Sequence, residues 1–170
     1  PCIFVKRNKE GKATSIILLH VDDMLIFCEK EDECKKELES LKKRYNFGDC
    51  EMGTDERGIM FTGKRIVVRE SGILIHMKAR CEQAPIFKQP DNVKSEDILK
   101  PEDVTQLKSV RGSVAFIGQY RPDVSFNLGS ASTGNDDHKS YNEAKKINMV
   151  SNELRRTPQT GMFYRYPKFK

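Results

Sequence analysis

The chain has 170 residues, of which 37% are hydrophobic and 32% charged, and a formal net charge of +5. That length suits one ordinary domain or two small lobes, with a thin core under a heavily solvated surface. No apolar run approaches the roughly 18 residues of a membrane span, and the opening Pro1-Cys2-Ile3-Phe4, with neither initiator Met nor signal-peptide pattern, reads as a piece cut from something longer.

In chain order, Cys2 to Lys6 is a short apolar run that suits a strand, and Arg7 to Thr14, with Asn8 and Gly11 among charges, reads as a turn. Ser15 to His20 is a buried strand without alternation, and Met24 to Cys28 resumes it after Val21-Asp22-Asp23. The outline is a hairpin whose tight turn presents two adjacent carboxylates. Glu31 to Tyr45 reads as an amphipathic helix, with Cys34, Leu38, Leu41 and Tyr45 along one stripe. Asn46 to Asp55 is a polar loop. Ile59 to Val68 and Ile73 to His76 read as strands joined by a turn at Arg69-Glu70-Ser71-Gly72. Met77 to Phe87 suits a short helix that Pro85 kinks or caps, and the polar stretch Lys88 to Pro101 resembles a lobe boundary.

Helices are predicted over Glu102 to Tyr120, with Leu107, Val110, Val114 and Ile117 on one side, and again from Pro122. A third is predicted over His138 to Leu154, with Asp137 as its N-cap, before a final strand at Met162-Phe163-Tyr164. From Lys139 onward eight basic residues face two acidic ones, Glu143 and Glu153, a balance that suits either a polyanionic partner or a basic solvated surface. The five cysteines (Cys2, Cys28, Cys34, Cys50, Cys81) form no C-x-x-C pair and the three histidines lie far apart. Reduced thiols in an intracellular protein are expected rather than a zinc site.

Two aspartates inside an apolar hairpin have two readings. Buried carboxylates need a cation, and Mg²⁺ binds through one or two carboxylates together with substrate phosphates. The other reading is an exposed Asp-Asp hairpin tip, and the dipeptide alone leaves both open.

The surrounding residues add a resemblance. Ile16 to Ile26, I-I-L-L-H-V-D-D-M-L-I, resembles the Y-V-D-D-M-L-I motif of copia-type LTR-retrotransposon reverse transcriptases. Met60-Phe61-Thr62-Gly63-Lys64-Arg65-Ile66 is similar to that family's F-L-G-I-x-I segment, and Gly72 to His76 to its strand leading into the thumb. Leu107 to Val114 resembles Y-R-S-L-V-G-S-L, and Tyr120 to Phe126 resembles T-R-P-D-I-x-F. His138 with Ala144, Lys145 and Lys146 is similar to the family's H-x(5)-A-K-R helix. These segments are collinear over nearly the whole chain.

The resemblance implies an α+β fold, with a palm-like antiparallel sheet and packed helix over residues 1–72 and a helical thumb over 73–170. It implies that Asp22 and Asp23 hold Mg²⁺, or Mn²⁺, for attack of a DNA primer on a deoxynucleotide over an RNA template. Phe61, Gly63, Lys64 and Arg65 would belong to a primer grip. Lys108, Arg111 and Gly112 would lie along the template–primer on the thumb helix, with Arg121 beyond it. Each has a plainer alternative: helix packing for Gly112, a local pair with Asp123 for Arg121, solvation for Lys64 and Arg65.

Three departures stand out: His20 at the usual aromatic position, Thr62 where Leu is usual, and the small, polar Ser130 to Gly134. The motif carrying the family's third aspartate, the fingers lobe and the RNase H segment are absent from this sequence, and Asp49 and Asp55 match none of them. The expectation is a fragment of an RNA-directed DNA polymerase from a retroelement polyprotein, inactive alone, cytoplasmic (in a virus-like particle) or nuclear. A domesticated, non-catalytic protein that binds nucleic acid or a partner is the alternative, and a stand-alone metal nuclease ranks third. Exposed strand edges and apolar palm surface are expected to favour self-association.

Overall fold

A computed structural model describes residues 2–53, 57–132 and 139–166. It is a mixed α+β chain of small antiparallel sheets and five helices among those residues, with the C-terminal half mostly helical. The chain divides into two compact units, Pro1–Val68 and Arg69–Lys170. Lys88 to Pro101, read from sequence as a lobe boundary, lies inside the second unit, where Leu99 is buried and Ile98 bridges to Ser140.

In the first unit, β1 (Cys2–Arg7), β2 (Ala13–His20) and β3 (Asp23–Cys28) form a three-stranded antiparallel sheet in that order. Cys2 pairs with Leu19, and His20 pairs with Asp23 across the tight turn. Asn8 closes the β1–β2 loop: its side-chain Oδ1 accepts from the Glu10 and Lys12 amides, which lets a polar residue stand in for backbone acceptors.

Helix α1 (Glu31–Lys42) follows β3. Its acidic first turn, Glu31-Asp32-Glu33, complements the positive end of the helix dipole. The Cys34 thiol reaches the Ile26 carbonyl of β3 at 3.7 Å, and Glu37 pairs with Lys6 of β1. The helix ends three residues before the predicted Tyr45, which is exposed, and none of its residues is fully buried. Without a third layer the stripe is only half covered. The whole of β1 is exposed as well, including Ile3, Phe4 and Val5.

The single strand read over Ile59 to Val68 is instead a hairpin of β4 (Ile59–Phe61) and β5 (Lys64–Arg69). Thr62 and Gly63 both have positive φ, 49° and 78°, the signature of a two-residue type I′ turn. Phe61, Ile66 and Val67 supply buried apolar residues here. Gly58, at φ 64°, has no room for a side chain, since a Cβ would strike the Ile66 carbonyl.

The second unit holds β6 (Gly72–His76) paired antiparallel with β7 (Gly161–Arg165), and helices α2 (Lys78–Glu82), α3 (Pro101–Gly118), α4 (Pro122–Ser132) and α5 (Tyr141–Arg156). Leu107, Val110, Val114 and Ile117 of α3 face a core shared with Val124 of α4 and Ala144, Ile147, Val150 and Leu154 of α5. The predicted helix N-cap, Asp137, and His138 lie outside the described residues. The observed cap is Ser140, in a capping box with Glu143. The Asn148 amide brackets Phe87, accepting from its N–H at 2.8 Å and donating to its carbonyl at 2.9 Å. Arg155 donates to the Ala84 carbonyl at 2.8 Å, so one of the basic residues counted toward a polyanion surface holds the 84–87 segment to α5.

The two units should therefore respond differently to truncation. Leu154→Ala, at a fully buried position, is expected to cost roughly 2–5 kcal/mol. Leu41→Ala on the half-covered face of α1 is expected to cost less than about 1.5 kcal/mol, because less apolar surface is lost. Urea unfolding of the two variants measures the contrast, and equal losses would show that α1 is buried in solution.

Candidate functional site

The β2–β3 hairpin presents Asp22 in its turn and Asp23 at the first position of β3. Both are exposed, so the desolvation argument for a cation does not apply to them as folded. The turn is made by Val21, which stands at φ 52° in the left-handed region. A β-branched residue is costly there, on the order of 1–2 kcal/mol. Val21 is 80% exposed, so no burial of its own side chain offsets that strain. Strain of this kind clusters at functional sites, where surrounding structure holds it.

What holds it is visible in the same unit. The Asp23 carboxylate accepts a 2.9 Å hydrogen bond from the Thr62 backbone N–H. That donor is turned outward by the type I′ turn of the second hairpin, because a two-residue turn leaves its central amides outside the ladder. The tip named from sequence, Val21-Asp22-Asp23, and the Thr62-Gly63 turn, read from sequence as the middle of one strand, are thus brought together. One Asp23 oxygen is held while the other, and both of Asp22, are not committed by this bond. His20 lies opposite Asp23 in the ladder and is exposed.

The other grip residues serve the second hairpin. Phe61 is buried in the unit's core. Lys64 donates to the Thr62 hydroxyl at 2.6 Å, and Arg65 donates to the Arg57 carbonyl at 2.8 Å. Among the described residues no group of three His, Cys, Asp or Glu side chains has metal-holding geometry. Asp49 is exposed, and Asp55 lies outside the described residues.

In the second unit, Lys108 and Gly112 are exposed on α3 and Arg111 is half-buried. A Cβ on Gly112 would meet nothing within 4 Å, so helix packing does not explain this glycine. Gly118 is the packing glycine, facing Leu128. Gly112 borders an open cleft of about 510 Å³ whose lining includes Arg80, Gln83, Ser113 and Phe116. The Arg80 guanidinium stacks over the Phe116 ring, 5.3 Å from its centroid. Sequence reading missed this pair because the two residues lie on different elements.

Arg121 takes the plainer of its two readings. It is 1% exposed and uses all five N–H donors: two on Asp123 at 2.9 and 2.7 Å, two on the Thr157 carbonyl and hydroxyl at 2.9 and 2.7 Å, and one toward the Cys81 sulfur at 3.8 Å. No donor is left for a phosphate. The guanidinium holds the Asp123 carboxyl below its usual range, and burial pushes the Cys81 thiol up. All five cysteines are free thiols. Burial first, then the neighbouring Cys34 thiol, push Cys28 up to about 12. No helix among the described residues is long and apolar enough to cross a membrane.

Comparisons with protein-family models, with curated proteins and with solved structures find no match for this chain.

Two outcomes follow from this geometry. Arg121→Ala is expected to cost on the order of 2–3 kcal/mol at neutral pH, less than a fully enclosed pair because Asp123 is partly open to water. The Asp123 pKa is depressed by folding, so this stability is present above the unfolded carboxylate value near pH 4. The Asp123 share is lost as pH falls through the lower folded value, and the gap between native and variant should narrow there in chemical denaturation, the Thr157 contacts persisting. Val21→Gly relieves the left-handed strain and is expected to raise stability by up to about 1 kcal/mol, offset in part by glycine's greater unfolded freedom. A loss of stability would show that the Val21 side chain is held by contacts in solution.

Proposed function

We propose that the chain is part of a retrotransposon-derived RNA-directed DNA polymerase, its catalytic hairpin carrying Asp22 and Asp23. One observation supports the reading above the others. Two exposed carboxylates stand at a strained hairpin tip, and one of them is oriented by the backbone of a second hairpin. A tip that served only as a turn has no use for a left-handed valine where glycine or asparagine is the unstrained choice.

The pair fits Mg²⁺ of the kind that takes one or two carboxylates and completes its shell with substrate phosphates and water. Among the described residues it is not part of an all-protein cage. The chemistry such an ion supplies is activation of the attacking primer 3′-hydroxyl and neutralisation of charge on the leaving oxygen. The chain's own part is positional. The Thr62 N–H fixes the Asp23 carboxylate, and the Thr62-Gly63 turn places backbone beside it. Exposed Lys108 and Gly112 on α3 offer a basic, unobstructed surface to a phosphate backbone. RNA template, DNA primer and deoxynucleotides are the partners of this reading.

The absence of a third metal-holding side chain beside the pair among the described residues favours a second reading. In it the chain retains a grip on nucleic acid, or on a partner that completes the site, without catalysis. A single set of measurements separates them. Asp22→Asn/Asp23→Asn should abolish Mg²⁺ or Mn²⁺ uptake in calorimetry while template–primer binding stays intact or tightens; unchanged metal affinity would sink the metal site. Hybrid binding should weaken roughly 40-fold between 50 and 200 mM salt, the loss expected of about three phosphate contacts. A flat salt dependence would remove nucleic acid from both readings. Primer extension that the double variant loses supports the polymerase, and grip without extension supports the second reading.

A further inference from the structure

Under α1 the three-stranded sheet sets Lys6, Ser15 and Cys28 in one row. Lys6 pairs with Ser15 and Ser15 with Cys28, and residues opposite each other in antiparallel strands share a face. Glu37 of α1 pairs with Lys6, so this is the face the helix covers, and Ser15 is buried in the middle of it. Cys34 lies one helical turn before Glu37, and its thiol donates to the Ile26 carbonyl of β3 at 3.7 Å. Ile26 stands two residues before Cys28, on the same face of the strand.

Strand register and helix phase therefore bring Cys28 and Cys34 together, although they lie six positions apart in a spacing that carries no motif. The Cys28 thiol hydrogen-bonds to the Cys34 sulfur. Each thiol has one proton to donate, and the donors run from Cys28 to Cys34 to the Ile26 carbonyl. Both are half-buried, within reach of a small reagent, whereas Cys81 is buried. Among the described residues no third ligand joins the two sulfurs in metal-holding geometry. A disulfide sets its sulfurs about 2.05 Å apart, a distance that two thiols in hydrogen-bond contact reach by side-chain rotation.

A bond here falls where the first unit is held least. Lys30 supplies no side-chain cap to α1, and the helix buries none of its residues fully. The Cys28–Cys34 bond would fasten the uncapped end to the strand that begins at Asp23.

We propose that Cys28 and Cys34 are a redox-active dithiol that takes a low-molecular-weight disulfide as oxidant, and that the bond they form clamps α1 to β3. This goes beyond the polymerase reading and does not rest on it. Burial first, then the hydrogen bond to Cys34, keep the proton on Cys28, so Cys34 opens the exchange. Its sulfur attacks one sulfur of the small disulfide, giving a mixed disulfide and releasing one small thiol. Cys28 then gives up its proton and attacks the Cys34 sulfur, which releases the second. The two protein protons end on the two small thiols, and the two electrons have passed to the oxidant.

The test is incubation of the whole chain with oxidised glutathione, alkylation of the remaining thiols and digestion with trypsin. Cleavage after Lys12, Lys30 and Lys35 puts the two cysteines on separate peptides, 13–30 and 31–35. Mass spectrometry should find these peptides joined. Cys28→Ser should instead retain glutathione on Cys34, because the resolving sulfur is gone. The equilibrium constant for the bond against glutathione should be at least about tenfold larger for the folded chain than in urea, which separates a bond made by the fold from one made by short spacing. Hydrogen exchange at the α1 amides should slow on oxidation and recover on reduction. Native chain that keeps glutathione on either cysteine without the link, a disulfide between two chains on a non-reducing gel, or equal constants folded and in urea overturns the dithiol. Unchanged exchange in α1 overturns the clamp. These readouts on the native chain decide the matter even if the serine variant fails to fold.

Discussion

A guanidinium withdrawn from water must find an acceptor for each of its N–H groups, and in the second unit Arg121 does so by tying three helices together. Its partners are Asp123 in the first turn of α4, Thr157 at the C-cap of α5, and Cys81 in α2. Breaking that set leaves polar groups without partners, a cost on the order of 2–3 kcal/mol that is comparable with a buried packing defect. The apolar faces of α3, α4 and α5 then close around Val114, Val124, Ile147 and Leu154. A second buried polar contact has the same logic: the Tyr141 hydroxyl donates to Asp103 at 2.5 Å and joins α5 to α3. The hydrogen bond to Asp103, and burial after it, push the Tyr141 phenol up.

The first unit is organised otherwise. Its helix buries no residue fully and its first strand is exposed along its length, so backbone pairing and turn geometry carry more of the order than a core does. The candidate site depends on that kind of order. Val21 and Thr62 both stand at positive φ, and the Thr62 amide meets the Asp23 carboxylate because two tight turns face each other. Each turn is stiff on its own, and the hydrogen bond fixes them as a pair. The site thus draws its geometry from backbone conformation, which a surface hairpin can supply without a thick core beneath it.

The nucleic-acid reading gains and loses residues on this account. Arg121, Phe61 and Arg155 spend their side chains on the fold. Lys108 and Gly112 remain on an open helix face, and the Arg80–Phe116 stack adds aromatic surface that the motif resemblance did not name. A resemblance maps residue types onto positions. Whether a cation on that map faces solvent or a buried partner is a question of packing.

Several elements were legible in the sequence because their signals are local. The α3 stripe of Leu107, Val110, Val114 and Ile117, the start of α4 at Pro122 and the hairpin around Asp22 and Asp23 follow from periodicity, proline at a first turn and apolar runs broken by a turn. The split of β4 from β5 was missed because Thr62 carries no turn signal of its own and Gly63 reads equally as a strand glycine. The true cap of α5 was missed because Asp137 and Ser140 are both good caps, and only the reciprocal bond to Glu143 distinguishes Ser140. The sequence by itself determined the helical and extended character of most segments and the tip that bears the two carboxylates. Only the tertiary structure decided that this tip meets the Thr62-Gly63 turn and that Arg121 is buried. Contacts between residues 39 or 36 positions apart, such as Asp23 with Thr62 or Arg121 with Thr157, depend on how elements pack, and no local pattern encodes that.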